Sequence, residues 1–382
     1  MSALRIGVNA LYLIPGGVGG TEIYLRGLLE AIASVDRIND YFIFRNRETG
    51  PSLTPARPNF HDCPQPLNAV FRPARIVYEQ TVLPFAVQRH AIDVVLNAGF
   101  TAPLLCRCPM ITVFHDLQYK HHPEFFRWFD LPFWRALLPL SAARSQRLVT
   151  LSEAVKRDLE SFYRIDPSRI AVIPHGVEPE FARLAVRRLA RPPTSKLLLT
   201  VSTLHPHKNM NALLKAFRAF LYSEPGWQLR VIGLKGFEAS AIEALRRDLG
   251  LEQSVEIPGW LQRGEVYRSF ADARALIYPS KFEGFGIPVL EALTAGVPTA
   301  CSRLPSLLEI AGGSARFFDP ESVDDIESAM RDVTLDEVLR ARLQASGLVR
   351  AQAFSREASA RKMIRLFEEM TQPSTRSKKS QD

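Results

Sequence analysis

Short apolar segments alternate with helical patterns along almost the whole chain, and this alternation constrains the fold more than any other feature. The chain opens with the apolar run LRIGVNALYL, which predicts a strand buried on both faces, and leucines at helical spacing follow in 23–32. Further strands are predicted at 41–44, 94–96, 110–114, 147–151 and 170–173. Alternation of this kind predicts a parallel sheet covered by helices.

The alternation restarts after the arginine-rich stretch FARLAVRRLAR. Strands are predicted at 196–201, 228–232, 255–257, 275–278 and 299–301, with helical patterns at 209–221, 239–249, 265–269 and 288–293. The predicted fold class is therefore α/β, with two doubly wound domains. The expected segments are an N-terminal domain (1–178), a linker (179–194), a C-terminal domain (195–353), a closing helix (354–372) and a disordered basic tail (373–382). Two open parallel sheets in tandem place a ligand in the crevice between them, at the carboxyl ends of the strands.

Charge and composition exclude several classes of protein. The formal net charge is +8, but four arginines without an acidic residue fall in 181–191, and 192–372 is neutral overall. A nucleic-acid-binding protein would more often carry a basic face across a whole domain, so no nucleic-acid partner is expected. Four cysteines are too few for a disulfide scaffold. The longest uncharged stretch, 6–21, is broken by a proline and several glycines, so we expect no membrane-spanning helix and a cytoplasmic protein.

Two glycine-bearing loops stand between a predicted strand and a predicted helix. Glycines in GGVGG (16–20) let the backbone approach a ligand, and the helix that follows offers free N–H groups to an anion. A plain tight turn explains this loop about as well, because Glu22 replaces the third glycine of a dinucleotide fingerprint. The segment SKFEGFGIPVLEALTAGVP (280–298) repeats the arrangement and adds Glu283 and Glu291. Their carboxylates would repel a phosphate, so sugar and ribose hydroxyls are the expected partners.

Two further polar clusters follow predicted strands. In VSTLHPHKNM (201–210), Lys208 is long enough to reach a phosphate, although a solvated helix start explains a lysine there about as well. In TVFHDLQY (112–119), His115 and Asp116 follow a strand of the first domain, where a lone histidine is more often structural than catalytic.

The segment E-G-F-G-I-P-V-L-E (283–291) resembles the E-x7-E motif of the retaining glycosyltransferases of family 4, which have the GT-B fold. Other motifs fall in the order of that family: GGVGG, F-H-D (114–116), L-S-E-A-V-K-R-D-L (151–159), I-P-H-G-V (173–177), T-L-H-P-H-K-N (203–209) and L-P-S-L-L-E (304–309). The resemblance covers about residues 4–370. It implies two Rossmann-like domains that face each other across a cleft.

The resemblance also implies a role for each matching residue. It assigns catalysis to His115, Lys208 and Glu283, and donor binding to Gly17, Gly19, Thr203, Lys208, Glu283, Phe285, Gly286, Ile287 and Glu291. Lys208 would neutralise the leaving phosphate, Glu283 would bind the donor sugar and Glu291 the ribose. Many members carry an arginine five or six residues before the lysine, where this chain has Thr203, or directly before it, where this chain has His207. The group that binds the leaving phosphate is then one fixed charge short, and whether a protonatable His207 replaces part of that charge is left open by the sequence.

The expected reaction is the transfer of a hexose, mannose or a related sugar, with retention of the anomeric centre. The sequence contains no D-x-D, the motif that holds the cation of metal-dependent transferases, so we expect no metal and no cofactor. GDP-mannose is favoured as the donor, because the T-L-x-P-x-K-N branch resembles mannosyl- and rhamnosyltransferases of O-antigen and exopolysaccharide assembly. The alternatives are a sugar-nucleotide epimerase of GT-B fold and a non-catalytic sugar-nucleotide binder, and consumption of the donor separates these functions.

The acceptor side is predicted to lie near PEFFRWFDLPFWRALLPL (123–140), which carries six aromatic residues and two arginines. A helix packed into the first domain is the simpler interpretation. The alternative is a surface that enters the lipid interface beside a glycan or polyprenyl-diphosphate-linked acceptor. In that case the arginines of 181–191 and the tail 373–382 would contact anionic lipids at the inner face of the plasma membrane, at roughly 1 kcal/mol per basic residue.

Overall fold

The first half of the chain is built on a seven-stranded parallel sheet. The computed structural model describes residues 3–17, 19–126, 128 and 130–371. The strands are β1 (Arg5–Ala10), β2 (Asp40–Arg45), β3 (Phe60–Pro64), β4 (Val94–Asn97), β5 (Met110–Phe114), β6 (Arg147–Thr150) and β7 (Ile170–Val172). Their order is β3-β2-β1-β4-β5-β6-β7, and every neighbouring pair is parallel. The central strands β1, β4 and β5 are almost fully buried, because helices cover both faces of the sheet.

The helices of this domain are α1 (Gly20–Val35), α2 (Arg72–Thr81), α3 (Leu83–Arg89), α4 (Gln118–His121), α5 (Leu131–Arg144) and α6 (Glu153–Tyr163). The leucines predicted to lie on one helical face are buried in α1, where they pack on the sheet. The predicted aromatic segment 123–140 runs into α5, which buries Leu137 and Leu138 in the domain, while Trp128 is 83% exposed. The second half of the segment is therefore a helix that packs partly on the first domain, and the interpretation as a lipid-facing surface stays a prediction.

The second half repeats the architecture with six parallel strands. They are β8 (Leu197–Val201), β9 (Gln228–Ile232), β10 (Val255–Gly259), β11 (Ala275–Tyr278), β12 (Thr299–Ser302) and β13 (Arg316–Phe318), in the order β10-β9-β8-β11-β12-β13. The helices are α8 (Met210–Ser223), α9 (Ala239–Asp248), α10 (Arg263–Asp272), α11 (Ile287–Thr294), α12 (Pro305–Ala311), α13 (Val323–Leu335) and α14 (Glu337–Ala351). The predicted fold class, two doubly wound α/β domains, is confirmed.

The predicted linker contains a helix, α7 (Pro179–Ala190), which packs on the second domain. Arg188 of α7 is 3% exposed, and its guanidinium donates to the carbonyl oxygens of Phe270, Ala271 and Ala273 at 2.7–2.9 Å. This arginine holds α7 on the domain and does not face lipid, contrary to the expectation for the arginines of 181–191.

The last described helix, α15 (Arg356–Thr371), packs on α1 of the first domain. The Ser359 hydroxyl donates to the carbonyl oxygen of Pro174 at 2.6 Å, and Arg147 pairs with Glu369 at 2.7 Å. The predicted basic tail, 373–382, lies outside the described residues. Among the helices described, none combines the length and apolar character that crossing a bilayer requires.

Both sheets reverse their strand order at the centre, and each reversal creates a crevice at the carboxyl ends of two strands. In the first sheet the crevice lies between β1 and β4, and in the second it lies between β8 and β11. The glycine loop follows β1, the H-x-K-N segment follows β8 and the E-G-F-G segment follows β11. The topology therefore places three predicted ligand-binding segments at the two crevices.

Candidate active site

The loops of the two domains meet in a cleft. Gly284, in the loop after β11, packs so closely on the first domain that a Cβ atom there would lie 1.9 Å from the carbonyl oxygen of His115. The Gly284 carbonyl oxygen accepts a hydrogen bond from the Ser152 hydroxyl at 2.7 Å. At the start of α1, a Cβ on Gly20 would lie 3.6 Å from Cδ1 of Ile287. The glycine loop and the E-G-F-G segment therefore face each other.

Lys208 and Glu283 form an ion pair on the second-domain side of the cleft. Nζ of Lys208 lies 2.6 Å from Oε1 of Glu283, and the side chains are 15% and 10% exposed. The Tyr278 hydroxyl donates to the same oxygen at 2.6 Å. Burial, and then the charge of Glu283, raises the pKa of Tyr278 well above its ordinary value, so the hydroxyl remains a donor. Our sequence reasoning gave Tyr278 no role, although it ends β11 only five residues before Glu283.

The conformation of Asn209 holds Lys208 beside Glu283. Asn209 is left-handed, with φ 57°, at the N-cap of α8. Its side-chain amide donates to the carbonyl oxygens of Pro279 at 3.1 Å and Pro320 at 2.7 Å. Because Pro279 directly follows β11, these hydrogen bonds tie the H-x-K-N segment to the loop that carries Glu283.

His207 does not replace the charge of the arginine that many relatives carry in this loop. Burial, and then the neighbouring charge of Lys208, lowers the pKa of His207 to about 2, so its ring is neutral at physiological pH. The backbone carbonyl oxygen of His207 accepts a hydrogen bond from the N–H of Lys281 at 2.7 Å. Thr203, at the other position where relatives carry arginine, is half-buried after β8. The positive charge of this loop therefore rests on Lys208.

Glu291 lies in a neighbouring ion cluster. Its side chain is 3% exposed, and a terminal nitrogen of Arg263 lies 2.9 Å from its Oε1. The same guanidinium pairs with Glu178, which also accepts a hydrogen bond from the Tyr267 hydroxyl at 2.8 Å. Burial raises the pKa of Glu291, and Arg263 opposes that rise. Sequence reasoning missed Arg263 because it stands 28 residues before Glu291, outside any motif, and only the packing of α10 near α11 joins them.

The start of α11 presents backbone N–H groups next to Glu283. Gly286 forms the N-cap with φ 103°, and a Cβ there would lie 2.3 Å from a methyl group of Leu307, so this position requires glycine. The Phe285 side chain is buried in the core, which leaves its backbone amide and that of Ile287 for a ligand. The first N–H groups of a helix lack intrahelical partners and lie at the positive end of its dipole. This end of α11 therefore favours an anion.

His115 lies on the first-domain side of the cleft and is 7% exposed. Its Nε2 is 2.9 Å from the carbonyl oxygen of Ala98, which can accept but not donate, so Nε2 carries the proton. Burial lowers the pKa of His115 to about 4, and the neutral ring keeps Nδ1 as an acceptor. The rings of Tyr24 and Phe100 meet the imidazole at steep angles, with centroids 5.0 and 5.2 Å away.

The glycine loop is braced by a charged pair on α1. The Gly16 N–H donates to Oε2 of Glu22 at 2.8 Å, and Arg26 donates to Oε1 of the same carboxylate at 2.8 Å. Gly17 lies in the turn that precedes α1. Gly19 forms the N-cap with φ 58°, and no described atom lies within 4 Å of the place where a Cβ would stand. The backbone at Gly19 is therefore open to close approach by a ligand.

Most of the predicted site residues lie around one cleft. Asp116 of the first domain also borders this cleft, because its Cβ would lie 2.8 Å from a Cβ on Gly284, and burial raises the pKa of its carboxyl. The group consists of Gly19, His115, Lys208, Glu283, Phe285, Gly286 and Ile287, while Gly17 lies in the turn that leads to Gly19. Glu291 lies in the adjacent ion cluster, and Thr203 lies at the end of β8.

Comparisons with known proteins show which family both halves of the chain match. Residues 18–181 match a family model described as Glycosyltransferase Family 4, and residues 183–349 match a model described as Glycosyl transferases group 1. O-antigen chain mannosyltransferase B of Escherichia coli is 25% identical over 264 residues, which are 67% of this chain and 69% of that protein. O-antigen chain mannosyltransferase RfbU of Salmonella typhimurium is 28% identical over 240 residues, which are 63% of this chain and 64% of that protein.

Solved structures share the fold over nearly the whole chain. Sucrose-phosphate synthase of Thermosynechococcus elongatus superposes with a TM-score of 0.78 at 18% identity, covering 96% of this chain and 99% of that one. At this identity the similarity concerns the fold, two parallel-sheet domains separated by a cleft.

Proposed function

The chain belongs to the GT-B glycosyltransferases of family 4, and on that premise we propose that it transfers a hexose, mannose or a related sugar, from a nucleotide diphosphate sugar to a glycan or polyprenyl-diphosphate-linked acceptor, with GDP-mannose as the favoured donor. The two family models and the mannosyltransferase relatives identify it as a hexosyltransferase. We propose four details beyond that: the identity of the donor, the identity of the acceptor, retention of the anomeric configuration and a reaction that needs no metal ion. The relatives are named for O-antigen chain synthesis, which supports a cell-surface polysaccharide as the product.

The contact between Lys208, Glu283 and Tyr278 beside the start of α11 carries this proposal. Breaking the bond between a sugar and a nucleotide diphosphate develops negative charge on the phosphate and positive charge on the sugar. The Lys208 ammonium and the α11 N–H groups stabilise the first charge, because both are fixed before the reaction begins. The Glu283 carboxylate accepts hydrogen bonds from sugar hydroxyls, while Tyr278 fixes one of its oxygens.

His115 lies on the opposite side of the cleft from this cluster, in contact with the Gly284 backbone. As a neutral ring with its proton on Nε2, it offers Nδ1 as an acceptor for a hydroxyl of the donor sugar or of the attacking acceptor. Lys208 and the helix N–H groups supply the positive charge at the leaving group, so the proposed reaction needs no metal ion. Product analysis by NMR tests retention: an α-linked product from the α-linked donor supports it, and a β-linked product contradicts it.

Donor consumption tests the activity itself. A thermal-shift screen of UDP-, GDP- and dTDP-sugars identifies the nucleotide, and a GDP-release assay with GDP-mannose then measures turnover. We expect Lys208→Ala and Glu283→Ala to lower kcat by about 10²–10³-fold, the usual cost of removing a fixed group that stabilises developing charge. Lys281→Ala is the matched control. Lys281 lies in the same loop as Glu283, but its ammonium pairs with Glu321 at 2.8 Å.

The two alternative functions give different results in these assays. An epimerase converts the donor into a different sugar nucleotide without releasing GDP. A non-catalytic binder shows the thermal shift but no turnover. Equal turnover of Lys208→Ala and Lys281→Ala would contradict the assigned role of the Lys208–Glu283 pair.

We further propose that the first domain contacts an anionic membrane. The support comes from exposed apolar side chains around α2 and α3: Val70 and Phe71 directly before α2, Val77 on α2 and Phe85 on α3 are 62–72% exposed, and Arg72 begins α2. Apolar side chains combined with arginine favour the interface of anionic lipids. Co-sedimentation should prefer anionic over neutral vesicles, and Phe85→Ser should weaken binding. Equal binding to both vesicle types would overturn the proposal.

A further inference from the structure

The start of α6 in the first domain receives a carboxylate from the second domain. The N–H groups of Glu153 and Ala154 donate to Oε1 and Oε2 of Glu309 at 2.9 and 3.3 Å. Glu309 lies on α12 of the second domain. The first N–H groups of a helix have no partner within the helix and lie at the positive end of its dipole. A side chain of one domain therefore caps a helix of the other through charge-assisted hydrogen bonds.

The N-cap of α6 donates a hydrogen bond to the loop that carries Glu283. The Ser152 hydroxyl is buried, accepts from the N–H of Val155 at 3.2 Å and donates to the Gly284 carbonyl oxygen at 2.7 Å. One hydroxyl can do both, because it has one donor and two acceptor sites. On the other side of the loop, the Ser306 hydroxyl of α12 donates to the carbonyl oxygen of Glu283 at 2.7 Å. The backbone of this loop is thus held between α6 and α12.

The helix α12 is itself anchored in the second domain. The Arg350 guanidinium of α14 donates to the carbonyl oxygens of Glu309 at 2.5 Å and Ile310 at 2.9 Å, at the end of α12. Leu307 and Ile310 of the same helix are buried in the core. Among the described residues, the two N–H groups of α6 are the only hydrogen-bond partners of the Glu309 carboxylate. The polar end of this side chain therefore serves the contact between the domains.

We propose that Glu309 and Ser152 are positioning residues for the transfer reaction. Their hydrogen bonds go to backbone groups, and through these they hold the Glu283 loop of the second domain against the His115 side of the first. This inference rests on the proposed function and adds the residues that align the two sides of the cleft. Lys208 and the start of α11, the proposed groups at the leaving phosphate, belong to the second domain. Loss of the contact should therefore lower turnover far more than it weakens nucleotide binding.

The kinetics of two Glu309 variants test this role. Glu309→Ala removes both acceptor oxygens, and Glu309→Gln keeps one. We expect kcat for GDP release from GDP-mannose to fall about 10–100-fold in Glu309→Ala and less in Glu309→Gln, because a misplacement of about 1 Å at reacting groups costs about 100-fold. The Kd for GDP, measured by calorimetric titration of the full chain, should stay within about threefold of the wild-type value.

Two serine variants separate positioning from stability. Ser152→Ala and Ser322→Ala each remove the N-cap side chain of a helix, since the Ser322 hydroxyl accepts from the N–H of Asp325 at 3.1 Å at the start of α13. Both should lower the melting temperature, because each loses a capping hydrogen bond. Only Ser152→Ala also removes a hydrogen bond to the second domain, so only this variant should lose turnover, by about tenfold. Should Ser152→Ala fail to fold, the half-buried Glu309 carries the test by itself.

Small-angle X-ray scattering of the ligand-free protein gives a measurement that needs no turnover. We expect a larger radius of gyration in Glu309→Ala and Ser152→Ala than in the wild type or Ser322→Ala, because the released domains move apart. Equal radii in these proteins, turnover in both variants equal to that of Ser322→Ala, or a loss of GDP affinity as large as the loss of kcat would each overturn the inference. Failure of the wild-type protein to consume GDP-mannose contradicts the proposed donor alone, and the scattering comparison then still decides whether Glu309 and Ser152 hold the domains together.

Discussion

Gly284→Ala should uncouple the two domains at the active site. The added Cβ would lie 1.9 Å from the His115 carbonyl oxygen and 2.8 Å from Cβ of Asp116. Carbon and oxygen atoms rarely approach closer than about 3.2 Å, so the two loops have to separate by more than about 1 Å. Because the clash is with a backbone oxygen, a change of side-chain rotamer cannot relieve it.

The size of the effect follows from that displacement. Gly284 lies next to Glu283, and His115 lies across the cleft, so the separation moves the donor-side groups away from the acceptor side. A misplacement of about 1 Å at reacting groups costs about 100-fold in rate, or roughly 2.7 kcal/mol of transition-state stabilisation. Stability should change less than activity, because an alanine also restricts the unfolded chain, by about 0.4–1 kcal/mol.

Steady-state GDP release from GDP-mannose, measured beside thermal unfolding, tests the reasoning. Gly313→Ala is the control, because no atom lies within 4 Å of its added Cβ. We expect kcat/KM to fall about 100-fold in Gly284→Ala and to stay within about twofold of wild type in the control. A Gly284→Ala protein with kcat/KM within threefold of wild type would refute the role of this contact.

Three further predictions concern the surrounding structure. Arg188→Met leaves backbone carbonyl oxygens without their donor and should destabilise the protein by about 2–3 kcal/mol in urea unfolding, whereas no change would show that water replaces the guanidinium. Arg263→Gln leaves the buried Glu291 unpaired and should lower the free energy of unfolding by about 2 kcal/mol. The double variant with Glu291→Gln should recover part of that loss, and a double variant whose loss equals the sum of the two single losses contradicts this. Burial lowers the pKa of His115 to about 4 and of His175 to about 3, so below pH 6.5 the unfolded chain binds protons that the folded protein does not. As the pH falls from 6 towards the folded-state pKa, each histidine should therefore lower the free energy of unfolding by about 1.4 kcal/mol per pH unit. His175→Gln should reduce that slope, and an unchanged slope would show that His175 does not contribute to it.

The fold was predictable because it depends on local patterns. Buried parallel strands read as apolar runs, and α1 shows leucines at helical spacing, so both sheets could be anticipated. No sequence pattern predicted β3 and β13, which lie at the edges of their sheets. β3 has the sequence FHDCP and exposes every second or third side chain, because an edge strand faces solvent and needs no continuous apolar run.

Within the candidate site, motifs located Lys208 and Glu283 but did not show that they touch. Their contact depends on two loops after β8 and β11, which are adjacent in the sheet but far apart in the chain. The sequence left the role of His207 open because its charge state depends on burial, which no motif reports. Arg263 was missed because ion pairs between helices follow from packing, which motifs do not describe.

The sequence by itself determined the class of fold and the kind of chemistry, because strand–helix periodicity and short glycine-bearing motifs are properties of neighbouring residues. Only the tertiary structure decided which charges are free, paired or suppressed. Lys208 pairs with Glu283, Glu291 pairs with Arg263, and burial keeps the His207 ring neutral. The physical reason is that pairing and desolvation depend on side chains brought together across two sheets and a cleft, over distances in sequence that no local pattern records.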